Sequence, residues 1–211
     1  VNYMSRSNSF HPVRDYLNSL HWDGVPRIDS WLKTYLNAKA EEPYLSAVSR
    51  KVLCAMIARV FHPGVKFDCV LILQGGQGIG KSTSLRYLAG DTWFSDAQMN
   101  LADKDGVLAM QGHWLMELGE LSGLRRAEVN AAKEFIARTS DKIRLPYGKR
   151  SEEFPRQCVF IGTTNSDEFL QDETGNRRFW PIEVGECNFK QLKKDRDQLF
   201  AEAKLTWELG E

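Results

Sequence analysis

Residues Gly75-Gly76-Gln77-Gly78-Ile79-Gly80-Lys81-Ser82 fit the pattern G-x-x-x-x-G-K-S. They stand between an apolar run, Cys69-Val70-Leu71-Ile72-Leu73, and a segment of helical spacing from Ser82 to Ala89. A short run without polar alternation reads as a parallel strand buried on both faces. Strand, glycine loop and helix in that order restrict the chain to an α/β fold with a phosphate-binding loop (P-loop). Glycines let successive backbone N–H groups wrap phosphate, and the helix N-terminus adds positive potential. Lys81 is expected to reach the terminal phosphates and the Ser82 hydroxyl to hold Mg²⁺. Gly75, Gly76, Gln77, Gly78, Ile79, Gly80, Lys81, Ser82 and Thr83 are the expected ATP contacts.

Around this loop the pattern divides the chain. Up to residue 65 the apolar residues follow helical spacing. Val13, Tyr16, Leu17 and Leu20 form one stripe, and Ile28, Trp31, Leu32, Tyr35 and Leu36 a second after the Asp23-Gly24 turn. Leu45, Val48, Val52, Met56 and Val60 form a third, from Pro43 to Pro63-Gly64. From 66 to 211, strand candidates at Trp114–Leu118, Cys158–Thr163 and Phe179–Val184 alternate with helical patterns at Leu101–Met110 and Glu128–Arg138. A last helix runs from Phe189 towards Trp207. Alternation of this kind predicts a parallel-sheet core with an N-terminal helical segment and a C-terminal helix.

Hydrolysis of a bound nucleotide needs an acid at the end of a neighbouring strand. Trp114-Leu115-Met116-Glu117-Leu118-Gly119-Glu120 supplies two: Glu117 is assigned to the metal and Glu120 to the attacking water, although spacing alone leaves that division open. Asn165, after the run Cys158–Thr164, falls at the carboxyl edge where α/β ligands bind and could orient the water. Gly175-Asn176-Arg177-Arg178 reads as a turn with two guanidinium groups, one of which could act as an arginine finger; if a neighbouring subunit supplies it, hydrolysis depends on assembly.

Lys and Arg number 28 and so do Asp and Glu, so the net charge is zero and no general basic coat points to nucleic acid. A local excess does occur between Arg138 and Arg156. There Arg138, Lys142, Arg144, Lys149, Arg150 and Arg156 oppose Asp141, Glu152 and Glu153 around a turn-like Pro146-Tyr147-Gly148-Lys149, which predicts a β-hairpin near 142–155. The four cysteines have no C-x-x-C pair, suiting reduced thiols in the cytoplasm. No apolar stretch reaches membrane-spanning length, and the histidines lack metal-ligand spacing. A chain that opens on Val1 suggests a piece of a longer polypeptide.

Taken together, His11-Pro12-Val13-Arg14-Asp15-Tyr16-Leu17, Trp22-Asp23-Gly24-Val25-Pro26-Arg27, the P-loop, Trp114–Leu121, Gly162–Asn165 and Gly175–Pro181 resemble the virulence-associated protein E family of phage and mobile-element replication genes. That family is similar to superfamily three helicases of the AAA+ class. The resemblance implies a P-loop NTPase (AAA+-like) core with strand order 5-1-4-3-2 and a homo-oligomeric ring, usually a hexamer, with ATP between subunits. Single-stranded DNA would pass through the central channel. It also implies Asn165 as the polar sensor and Arg177 or Arg178 as the finger. The hairpin would line the channel, with Lys149 and Arg150 on phosphate, Tyr147 stacked on a base, and Lys142 and Arg144 as secondary contacts. The spacing of Glu117 and Glu120 departs from the commoner adjacent acid pair. Members commonly carry a primase-like region upstream, with no counterpart in this sequence, so primer synthesis is not expected of it. Two other readings use the same loop: a P-loop kinase, and a nucleotide-gated assembly module that drives no unwinding.

Overall fold

The computed structural model describes residues 11–97, 104–119, 126–144, 150–165 and 176–210. Three helices come first, α1 (Pro12–Ser19), α2 (Trp31–Leu36) and α3 (Glu42–Phe61). They are followed by β1 (Val70–Gln74), α4 (Lys81–Ala89), β2 (Phe94–Ser95), α5 (Lys104–Ala109), β3 (Leu115–Leu118) and α6 (Arg126–Ala137). After β4 (Ser140–Ile143), β5 (Glu152–Pro155) and β6 (Val159–Thr164) come a 3₁₀ turn at Asn176–Arg178, β7 (Phe179–Glu183) and α7 (Phe189–Glu208).

Five strands form one sheet in the order β2-β3-β6-β1-β7, and every pairing in it is parallel. Numbered along the chain as core strands 1 to 5, this is the order 5-1-4-3-2. The central strands β3, β6 and β1 are buried along nearly their whole length because both faces are covered, whereas the edge strand β7 exposes Pro181 and Glu183. On one face Leu71, Leu73, Leu115, Val159 and Ile161 pack with residues of α1 to α4 and α7. On the other, Val70, Ile72, Met116 and Phe160 meet Phe135 and Ile136 of α6. Strand alternation thus assigns each residue to one of two apolar layers.

The N-terminal helices are part of the first layer. α3 is buried around much of its circumference, with Leu53, Ala55 and Ile57 inside as well as the stripe read from the sequence. The indole N–H of Trp114 donates to Met56 O at 2.8 Å, and buried Arg59 donates to Cys158 O and Phe67 O, each at 2.8 Å. These bonds fix α3 beneath the starts of β3 and β6. α7 receives the other side. Oε2 of its buried Glu202 accepts the backbone N–H groups of Arg27 (2.6 Å) and Ile28 (2.9 Å), while Asp195 and Asp197 accept the hydroxyls of Tyr35 and Tyr16.

Two differences from the sequence reading stand out. β2 was not expected, because two residues give no periodicity to read. The hairpin exists as antiparallel β4 and β5 outside the main sheet, with Ser140 opposite Pro155 and Ile143 opposite Glu152. Its basic count, however, includes one residue that is not on the surface. Arg156 is buried, pairs with Asp141 through contacts of 2.6 and 2.9 Å, and lies 4.3 Å over the Phe135 ring. None of the four cysteines is in a disulfide. Among the described residues, no helix is long and apolar enough to cross a membrane.

Candidate phosphate site

The glycine loop 75–80 leaves the end of β1 and enters α4, and two close approaches fix its path. A Cβ on Gly75 would lie 2.6 Å from Val184 O. Gly80 has φ +94°, and a Cβ there would lie 2.9 Å from the Phe189 ring. The left-handed Gly80 starts α4 at Lys81 with no side-chain cap, so the first-turn N–H groups of this nine-residue helix are left to an anion. Cys187 N–H donates to Ile79 O at 2.9 Å, anchoring the far side of the loop, and Ile79 packs against the core.

Lys81 is 7% exposed. Its ammonium donates to Gly75 O (2.6 Å), Gly76 O (2.7 Å) and Asn165 Oδ1 (2.9 Å). Burial lowers its pKa, with Cys187 and Glu117 opposing that shift. Ser82 Oγ donates to Glu117 Oε1 at 2.7 Å, and Thr163 Oγ1 donates to the same oxygen at 2.6 Å. Glu117 is buried, and its Oε2 has no hydrogen-bond partner among the described residues. Lys81, Ser82, Glu117 and Asn165 therefore converge on one cleft of about 390 Å³, which Gln77, Gly78 and Thr83 also line.

The donor set has a definite chemistry. A buried ammonium and an uncapped helix start suit phosphate oxygens, while a hydroxyl beside an unpartnered carboxylate oxygen suits a hard divalent cation. A nucleoside triphosphate with Mg²⁺ fits these residues, with Glu117 and Ser82 as the cation's protein contacts. A second cavity of about 300 Å³ lies at the opposite ends of β3 and β6, between Trp93, Trp114, Phe154 and His113. Among the described residues it holds no comparable phosphate-binding set.

Other expected site residues fall elsewhere. Arg178 Nε lies 3.2 Å from Asp68 Oδ2, and Arg177 is exposed. Both precede β7, which runs parallel to β1 with Val70 opposite Phe179, so they stand at the end of the sheet away from their own P-loop. β1 alone separates the two ends by roughly 16 Å at ~3.3 Å per residue. Lys142, Arg144 and Arg150 are exposed on the hairpin. Glu120, Tyr147 and Lys149 lie outside the described residues. Thr163 escaped the sequence reading, because a threonine in a strand is ordinary β chemistry. Its spacing of two from Asn165, which puts both on one strand face, was the available signal.

Solved structures share this architecture. The apo structure of the NrS-1 C-terminal region (305–718) matches 90% of this chain at 17% identity with a TM-score of 0.62. The A form apo structure of that region matches 90% at 18% identity with a TM-score of 0.61. In both comparisons 48% of the solved chain is covered, so this chain spans about half the length of those it matches. No curated protein matches the chain. The model of the virulence-associated protein E-like domain matches residues 17–211. With nearly its whole length matched, the chain belongs to the virulence-associated protein E-like domain family.

Proposed function

We propose that this chain is an ATP-hydrolysing motor of phage or mobile-element DNA replication, a helicase or translocase of the AAA+ class. It works as a ring, a hexamer, on single-stranded DNA. The observation that carries the reading is the convergence of Lys81, Ser82, Glu117 and Asn165 on one cleft at the carboxyl edge of β1, β3 and β6. The strand order 5-1-4-3-2 and the fold shared with the NrS-1 C-terminal region support it.

Within this reading Lys81 neutralises the terminal phosphates, and Asn165 fixes that ammonium and orients the attacking water. Glu117 and Ser82 hold Mg²⁺, which supplies positive charge to the phosphate oxygens when bound. Glu120 serves the water. Arg177 or Arg178 completes the site of an adjacent subunit, a role consistent with its place at the far end of the sheet. The exposed basic residues of the hairpin, Lys142, Arg144 and Arg150 with Lys149, contact the DNA backbone, and Tyr147 stacks on a base. A primase or replication-initiation domain upstream in the full-length protein would deliver this motor to its origin.

Steady-state ATP hydrolysis with and without single-stranded DNA, over a range of protein concentrations, tests the reading, with Lys81→Ala as the control. Turnover that rises cooperatively with protein concentration and is stimulated by DNA is expected. Turnover indifferent to both would sink the ring motor and favour the kinase or the gated module.

A further inference from the structure

β6 delivers two side chains to the phosphate cleft from a single face. Thr163 and Asn165 continue the register of Val159 and Ile161, whose side chains pack on the face that carries α4. Asn165 reaches Lys81, whereas Thr163 reaches Glu117. Ser82 and Thr163 both donate to Oε1 of that carboxylate, at 2.7 and 2.6 Å, and its buried Oε2 takes no donor among the described residues. A buried carboxylate oxygen left without a partner is costly, which favours an arrangement kept for a cation.

The two donors are not equivalent. Ser82 donates to Glu117 from the glycine loop and, in the Mg²⁺–ATP reading of this cleft, would also offer its oxygen to the cation. Thr163 is 7% exposed and sits on the strand behind, and its hydroxyl serves Glu117 alone among the hydrogen bonds described. We propose that Thr163 is a positioning residue for the divalent cation. It holds Oε1 of Glu117 from the β6 side, so that Oε2 is the oxygen left to the metal. The assignment rests on the reading of this cleft as a Mg²⁺–ATP site. It adds an outer partner to a ligating carboxylate, a class of residue that tunes metal affinity without touching the metal.

The test uses Thr163→Val, which removes the hydroxyl at nearly constant volume, and Thr163→Ser, which keeps it. Thr163→Ala is carried in parallel so that the result does not depend on one variant's folding. Affinity for a non-hydrolysable ATP analogue is measured by calorimetry in Mg²⁺ and in EDTA, alongside thermal melting. Thr163→Val and Thr163→Ala are expected to keep the affinity seen in EDTA and to lose about tenfold of the gain that Mg²⁺ confers, and Thr163→Ser to regain most of it. A wild-type Mg²⁺ gain in Thr163→Val, a Thr163→Ser as impaired as Thr163→Val, or an equal loss in EDTA would each overturn the assignment while leaving the nucleotide site standing. If the wild-type protein gains nothing from Mg²⁺, the Mg²⁺–ATP reading fails and the assignment falls with it.

Discussion

Lys81 Nζ donates to Asn165 Oδ1 at 2.9 Å, so the ammonium at the start of α4 is tied to the residue that follows β6. Asn165→Ala removes this acceptor and leaves the two P-loop carbonyl contacts of Lys81. Nucleotide binding should persist while turnover falls about a hundredfold, the usual scale for losing one polar group aimed at the reacting phosphate. Single-turnover hydrolysis beside equilibrium binding separates the two effects.

Arg178 is held by Asp68 of its own chain, whereas Arg177 is exposed. Arg177→Ala should lower turnover of the assembled protein about a thousandfold without changing nucleotide affinity, as expected for a finger. Titrating this variant into Lys81→Ala protein should restore part of the activity, because each supplies what the other lacks. No recovery in the mixture would place the arginine outside the neighbouring site.

Asp141→Ala should be the most damaging of the hairpin substitutions. It leaves the buried Arg156 guanidinium without its carboxylate, a loss of about 3–5 kcal/mol, whereas Lys142→Ala on the exposed side of the same strand should change stability little. Urea unfolding of the two variants against wild type makes the comparison.

Burial raises the pKa of Glu202, with the N–H groups of Arg27 and Ile28 opposing it. The native state therefore holds this proton more tightly than the unfolded state, and the contribution to stability declines as pH rises from the ordinary 4.5 through the raised native value. Glu202→Gln keeps an acceptor without the charge. It should melt above wild type at pH 7, with the gap closing below about pH 4.5. Glu202→Ala leaves buried donors unpaired and should cost about 2 kcal/mol at either pH. Melting curves at pH 4 and pH 7 decide both points.

β1, β3 and β6 were legible because a strand covered on both faces is largely apolar, β7 because Phe179 and Ile182 mark its buried side, and the glycine loop because glycine is required where it presses on Val184 and Phe189. Glu117 and Asn165 were legible as polar residues ending apolar runs. β2 was not, since Phe94-Ser95 is held by pairing with β3 and has no pattern of its own. Arg156 was misplaced for a different reason: in a basic stretch an arginine counts as surface, and only the fold brings Asp141, Phe135 and Phe160 around it. Thr163 went unseen because its partner comes from another strand.

The dependence of α7 on the first helices limits how the chain can be divided. Leu192, Leu199 and Phe200 of α7 and Trp114, just before β3, share one apolar layer with Leu17, Trp31, Leu53 and Met56. A protein trimmed to begin at residue 66 would keep every residue of the phosphate cleft and still lose the cover of that layer. It would also take from Asp195, Asp197 and Glu202 the donors that Tyr35, Tyr16, Arg27 and Ile28 supply. The stretch that keeps this apolar layer covered is therefore longer than the stretch that supplies the cleft residues.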